Sequence, residues 1–488
     1  MKKGQIVEAN VERIGFPNKG IAVTEEGEQI LIKNALPGQR IQARVSKKRK
    51  GKAEGTLLSV IEKAPNELAI PRCKHAGICG GCLYQSMDYD THLQIKYNQV
   101  KELLYMLEDD VFEGVKPSPK MDGYRNKMEY SFGDEMKDGP LTLGMHKRGS
   151  FHDIVPVGDC RIACEDFGKI LEMTMLYFRE RKIPFFHKNT HKGYLRHLLL
   201  RRGEKTGEIL VCLVTSTQTD ELGCREEQLL EQWKTQLLNL PLESQIAGIL
   251  QIQNDSLADA VINQGMTTLY GKDYFYEELL GLKFKITPFS FFQTNSLGAE
   301  VLYETARDFI GSAGDDKIVY DLYSGTGTIA QLMAASAQKV IGVEIVEEAV
   351  KAARENAKEN HIENCEFIAG DVFAVLDNIE QKPDFLVVDP PREGVLAKAL
   401  KKLLSYEVES LVYISCKPTS LARDLEMLLE AGYEVKRVCC VDMFPFTANI
   451  ETCCLLERLR NAKDHVTFTL DMENYYRVKD AEADKEKR

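Results

Sequence analysis

At 488 residues, with 44% hydrophobic and 28% charged residues, the chain exceeds the size of one growing core and has the composition of a folded protein of two or three domains. No run of about 18 apolar residues occurs, and Met1 to Gln5 leads into an alternating segment rather than an apolar signal core, so a cytoplasmic protein without a membrane partner is expected. The net charge of -11 argues against a nucleic-acid partner, and the 13 cysteines, with adjacent pairs at Cys439-Cys440 and Cys453-Cys454, fit metal ligation and catalysis better than disulfides.

The local charge tells a different story. Residues 1–60 carry 12 Lys and Arg against 6 Asp and Glu, and Lys47-Lys48-Arg49-Lys50 with Lys52 form a basic cluster, read either as a solvated hairpin tip or as a nucleic-acid contact. Short alternating runs at Gly4 to Ile14, Gly20 to Thr24, Gln29 to Lys33 and Arg40 to Val45, broken by Pro- and Gly-containing turns, predict an OB-like β-barrel over 1–62. From Pro65 a cysteine-rich loop follows, then helical spacing from Tyr89 to Leu107. Strand signals come next at Lys127 to Phe132, Leu195 to Arg202 and Glu208 to Thr215, so 63–287 is expected to be a central α+β domain. Beyond Pro288 the rhythm becomes strand, loop, helix. Apolar strands at Ile318 to Leu322, Lys339 to Glu344, Phe385 to Asp389 and Ser410 to Ser415 alternate with helices, which predicts a Rossmann-like doubly wound sheet over 288–462. A charged tail, 463–488, closes this multidomain α/β chain.

The segment Asp321-Leu322-Tyr323-Ser324-Gly325-Thr326-Gly327-Thr328 leaves a strand and opens a helix, where backbone can approach a nucleoside ligand. Glu344, about 20 residues on, is placed to accept both ribose hydroxyls. A third glycine is missing, which favours S-adenosylmethionine over NAD. Asp371 is expected near the adenine, or else as a helix N-cap. Asp389-Pro390-Pro391-Arg392 ends the next strand, and its two prolines leave carbonyls and a carboxylate to address a planar base. Cys416 ends the strand after that. A thiolate there can add to C6 of a pyrimidine and make C5 nucleophilic, and the later loss of the C5 proton needs a base, for which Glu451 is the candidate. Cys73, Cys79 and Cys82, with Cys160 or its rival Cys164, suit an iron-sulfur cubane or zinc. Their spacing does not fit the C-x3-C-x2-C pattern of radical-generating enzymes.

Together these residues resemble the RNA (uracil-5-)-methyltransferase family. The likeness rests on Asp389 to Gly394, Tyr413-Ile414-Ser415-Cys416, Asp442-x-Phe444-Pro445 with Ile450-Glu451, Phe291-Phe292-Gln293-Thr294-Asn295, Tyr124-Arg125-Asn126-Lys127 and Cys73-x5-Cys79-Gly80-Gly81-Cys82. The barrel, with Gly20-Ile21-Ala22 and Ala35-Leu36-Pro37-Gly38, is similar to the RNA-binding TRAM domain. The resemblance implies Cys416 as nucleophile and Glu451 as base, and S-adenosylmethionine held by Gln293, Tyr323, Glu344 and Asp389 beside Gly325, Gly327, Thr328 and Asp371. It implies a 4Fe-4S cluster on Cys73, Cys79, Cys82 and Cys160, and 23S ribosomal RNA as partner, with tRNA as the alternative. No protein partner is expected, and the chain is read as a monomer. Lys417, Phe446 and Asn449 stand where the family usually has an asparagine, a polar residue and a histidine, and Lys417 is placed to lower the Cys416 pKa. Two other readings remain: an amino-methyltransferase using the Asp-Pro-Pro turn, for which Cys416 is dispensable, and a non-catalytic RNA-binding factor.

Overall fold

The computed structural model describes residues 1–49, 52–311, 314–376, 378–379 and 381–459; Lys50 of the basic cluster and the charged tail expected over 463–488 lie outside them. Strands β1 (Ile6–Gly15), β2 (Lys19–Val23), β3 (Gln29–Lys33), β4 (Arg40–Arg49) and β5 (Lys52–Glu62) close into a barrel in the order β1-β2-β3-β5-β4. The alternation along β1 points Val7, Ala9 and Val11 inward, against Ile30, Ile32, Ile41, Ala43 and Val45. The basic residues Lys47 and Lys48 lie at the far end of β4, which pairs with β5 as a long hairpin.

The central region contains α1 (Tyr89–Leu103), β6 (Phe112–Lys116), β7 (Lys127–Asp134), β8 (Leu141–His146), β9 (Ile154–Pro156) and α2 (Glu165–Glu180). It continues with β10 (Leu195–Arg202), β11 (Glu208–Thr215), α3 (Glu226–Leu238), β12 (Gln245–Gln253), β13 (Gly265–Gly271) and the hairpin β14 (Phe275–Leu279) with β15 (Leu282–Ile286). Seven strands form one sheet, β13-β12-β11-β10-β7-β8-β9. Phe167, Ile170 and Phe178 of α2 and Leu229 and Trp233 of α3 bury one face of it over Tyr130, Leu198 and Val211.

The last third runs α4 (Ser296–Ile310), β16 (Gly314–Leu322), α5 (Thr328–Met333), β17 (Ala337–Glu344), α6 (Glu347–Glu359), β18 (Cys365–Ala369) and α7 (Val372–Leu376). It ends with β19 (Phe385–Val388), α8 (Ala397–Leu404), β20 (Ser410–Ser415), α9 (Pro418–Glu430), β21 (Tyr433–Val441) and β22 (Glu451–Arg458). The sheet order is β18-β17-β16-β19-β20-β22-β21-β6. Strands β16 to β20 are parallel and covered on both faces by separate apolar cores, which is why β19 is apolar throughout. Two features go beyond the expected parallel sheet. β22 inserts antiparallel between β20 and β21, and β6, together with α1, comes from the 63–287 span to complete the far edge and its helical layer.

The junction is electrostatic. Lys96 Nζ of α1 lies 2.6 Å from Asp442 Oδ1 just after β21, with both side chains fully buried, and Asp442 Oδ2 accepts from the Tyr89 hydroxyl at 3.0 Å. Burial alone would raise the Asp442 pKa, but Lys96 and His92 outweigh it and hold the carboxylate at about 2. Asp442→Ala strands a buried ammonium and should cost about 3–5 kcal/mol in urea unfolding, whereas the double change Lys96→Met, Asp442→Leu should recover much of that loss.

Candidate active site at the carboxyl edge of the sheet

The turn after β16 is backbone held open. Tyr323, Gly325 and Gly327 take φ of +66°, +54° and +75°. A Cβ on Gly327 would lie 2.6 Å from the Phe367 ring and 2.9 Å from the Ala353 side chain, while one on Gly325 would meet only Phe291, at 3.9 Å. Gly325 therefore borders open space, and Gly327 lets α5, which begins at the buried Thr328, start against the core. Glu344, the last residue of β17, accepts the Gly325 amide on Oε2 at 3.0 Å and the Val346 amide on Oε1 at 2.9 Å. Each oxygen keeps a lone pair for a further donor. Asp321 Oδ2 takes the Ala330 amide at 2.9 Å, but Asp321 Oδ1 and Ser324 Oγ are buried without a partner among the described residues. Burial, then Asp389 and Glu344, pushes the Asp321 carboxyl well above the usual range. Asp371 caps α7, accepting the Ala374 amide at 3.2 Å, and its charge acts on Tyr323, whose phenol burial first of all pushes up to about 12. This acid-rich cradle repels a pyrophosphate and suits a cationic ligand that carries a diol.

The Asp389 turn is anchored from below by α9. Ser420 Oγ donates to Arg392 O at 2.7 Å, Arg423 donates to Glu393 O at 2.7 Å, and the Val395 amide donates to Asp424 Oδ2 at 2.8 Å. Gly394, at φ +77°, passes so close that a Cβ would lie 2.5 Å from Asp424 Oδ2. Asp389 follows β19 directly, and burial pushes its carboxyl up to about 7.

The two residues expected to carry the chemistry come together at the end of one ladder. Ser415 of β20 and Thr452 of β22 form the last pair of their ladder, Cys416 and Glu451 are the next residues beyond it, and the Glu451 charge acts on the Cys416 thiol. Burial, then Glu451 and Asp389, raises the Cys416 thiol to about 11, against the pull of the nearby Arg392 guanidinium. Lys417, expected as the activating cation, is exposed and caps α9 through its backbone. The cation that acts most strongly on the thiol is Arg392. Glu451 is buried, and its carboxyl is pushed well above the usual range by burial and then Asp389, opposed by Arg392.

Gln293 sits on the loop before α4, with its carbonyl accepting from Asn126 Nδ2 at 3.0 Å. Its side chain and the charges of Asp389, Glu451 and Asp321 all act on the buried Tyr303 hydroxyl. Tyr303 escaped sequence reasoning because it lies in the apolar stripe Ala299, Leu302, Ala306 and Phe309 of α4, which reads as core. Phe291, 69% exposed, stands at the mouth.

Away from this edge, Cys73, Cys79, Cys82 and Cys160 line one cavity with His75, Gln85 and Arg161. The thiols act on one another electrostatically, and burial raises Cys82 to about 12. The rival ligand Cys164 does not line the cavity and instead precedes α2. Among the described residues no three His, Cys, Asp or Glu side chains converge as for a single ion. Four thiols spread around one space fit a larger group that binds thiolates.

A profile described as tRNA (Uracil-5-)-methyltransferase matches residues 88–459, and one for the TRAM domain matches 1–58. The chain is 47% identical to an uncharacterized RNA methyltransferase of Caldanaerobacter subterraneus over 460 residues, covering 94% of this chain and 100% of that protein. Identity to an uncharacterized RNA methyltransferase of Halalkalibacterium halodurans is 34% over 463 residues, covering 94% and 98%. Among solved structures, the Pyrococcus abyssi tRNA (uracil-54, C5)-methyltransferase in complex with S-adenosyl-L-homocysteine is similar with a TM-score of 0.71 at 26% identity, over 92% of this chain and 100% of that one.

The raised thiol gives a direct test. Alkylation of Cys416 by iodoacetamide should accelerate with pH through about 11, later than the value near 8.5 of a free thiol. Arg392→Ala should move that midpoint higher still, since it removes the cation that favours the thiolate. Mass spectrometry of the modified peptide reads both.

Proposed function

The chain belongs to the tRNA (uracil-5-)-methyltransferase family and carries a TRAM domain, and from that premise we propose that it methylates C5 of uridine in 23S ribosomal RNA through a covalent Cys416 adduct. The observation that carries this reading is that Cys416 and Glu451 lie just beyond the last pair of the β20–β22 ladder, with the Glu451 charge acting on the thiol, at the edge of a carboxylate-lined cradle. Gln293, Tyr323, Gly325, Gly327, Thr328, Glu344, Asp371 and Asp389 would hold S-adenosylmethionine, whose ammonium and sulfonium charges suit the orphaned Asp321 oxygen and its acidic neighbours. When bound, it supplies an electrophilic methyl group to C5.

The remaining steps belong to the protein. Arg392 favours the thiolate of Cys416, whose sulfur bonds to C6 of a uracil flipped out of its stack, and the electron pair of the C5=C6 bond moves toward O4. After C5 has gained the methyl group, Glu451 removes the C5 proton. That electron pair re-forms C5=C6 and expels Cys416. Glu451 must be ionised to do so, and Arg392 is the cation that favours that form.

Cys73, Cys79, Cys82 and Cys160 would carry a 4Fe-4S cluster with a structural role. The barrel and its basic hairpin would bind the RNA, and the protein would act as a cytoplasmic monomer. The presence of both barrel and cysteine set favours ribosomal RNA. The similarity to an enzyme named for uracil 54 of tRNA favours tRNA as the second reading.

Incubation with S-adenosylmethionine and 5-fluorouridine-containing 23S or tRNA transcripts, followed by denaturing electrophoresis, tests the proposal. Fluorine does not leave as the C5 proton does, so a shifted band should appear with 23S RNA, require the cofactor and vanish in Cys416→Ala. A band confined to tRNA would reassign the substrate. Methyl transfer with no adduct on either RNA would overturn the covalent mechanism.

A further inference from the structure

Residues 443–446 lead from Asp442 toward Glu451, and four successive carbonyls there are gripped by four separate parts of the chain. Met443 O accepts from Asn295 Nδ2 at 2.9 Å, Phe444 O from Lys96 Nζ at 3.0 Å and Pro445 O from the Tyr124 hydroxyl at 2.9 Å. Phe446 O accepts the amides of both Leu83 and Tyr84 at 2.9 Å. Phe446 itself takes φ of +62°, a conformation that a phenylalanine keeps only where its surroundings impose it. The Arg72 guanidinium lies 4.5 Å from its ring centroid, and the ring packs with Tyr84, Met87, Ile14 and Leu36.

Leu83 and Tyr84 directly follow Cys82. The segment before them is fixed from the other side: the Gly80 amide donates to His146 O at 3.1 Å, and Arg148 donates to Cys82 O. We infer that the cysteine module is a positioning device for the catalytic base: by holding the Leu83 and Tyr84 amides on Phe446 O, it fixes the approach to the strand that begins with Glu451. The inference rests on Glu451 acting as the base. Of the residues assigned to the cofactor, those from Tyr323 to Glu344 lie at the ends of β16 and β17 and Asp389 follows β19, outside this chain of contacts, and Gln293 keeps its own hold on Asn126, so slackening the contact at Phe446 O acts on proton removal rather than on cofactor binding. The module is thereby given a task in the reaction without touching substrate.

The test uses the full-length protein isolated without air, before and after oxidative removal of the cluster. Amide hydrogen exchange should rise across 443–451 on removal while 328–344 keeps its protection. With S-adenosylmethionine and ordinary uridine-containing RNA, release of the covalent complex should slow on the order of 100-fold, the loss expected when a reacting group moves by about 1 Å. The complex should then accumulate on denaturing gels, as in Glu451→Gln. Tyr124→Phe, which drops one clamp donor and spares the cysteines, should slow release in the same sense with unchanged S-adenosylmethionine affinity, and it decides the matter if cluster removal unfolds the whole chain. If Glu451→Gln traps nothing on ordinary RNA, the assignment of the base fails. If Glu451→Gln traps the complex but exchange at 443–451 and release are unchanged without the cluster and in Tyr124→Phe, the clamp is overturned.

Discussion

A buried ammonium holds this molecule together. Lys96 Nζ has exchanged water for Asp442 Oδ1 and the carbonyl of Phe444, and an unpaired charge at such depth would be far too costly to keep. The pair therefore dictates that α1 lie against the end of β21. That in turn places β6 beside β21 and lets the Tyr84 region reach Phe446. The barrel, the cysteine loop and the methyltransferase sheet meet in a small apolar cluster of Ile14, Leu36, Tyr84, Met87 and Phe446 around that contact.

Along the same edge of the sheet, beyond the Val441–Glu451 pair, the logic is reversed. Asp321, Glu344, Asp389 and Glu451 gather at one edge, and burial raises three of them while like charges raise Asp321 and Glu451 further. Such a concentration of carboxyls is a poor solution for stability and a good one for binding a cation. Arg392 is the one guanidinium acting on both Cys416 and Glu451 among their principal influences. It favours the ionised form of each from a single position.

Much of this was legible in the chain. β19 and β20 read as strands because both faces are buried, leaving solid apolar runs such as Phe-Leu-Val-Val. The Gly-rich turn and Glu344 were legible because their spacing follows from one strand-helix-strand unit. Other parts carried no local signal. Nothing in Glu451 to Arg458 says that β22 runs antiparallel, and Phe112 to Lys116 is a short, half-buried strand whose partner lies more than 300 residues away. Lys417 looked like the cation for Cys416 because it is its neighbour in sequence, yet its side chain stands exposed at the start of α9, and Arg392 reaches the thiol from another strand end. Tyr303 was hidden among residues of its own helix that are simply core.

The pairing of Lys96 with Asp442 spans 346 positions of the chain, and this sets an order of assembly on the ribosome. At roughly 5–20 residues per second, the ammonium waits roughly 20–70 s for its counter-charge. Until then α1 and β6 have no sheet edge to join, while the barrel, whose strand pairings all lie within its own five strands, can close early. The TRAM barrel is thus complete before the methyltransferase sheet exists, and Cys416 and Glu451 are brought together only by the last strands to emerge.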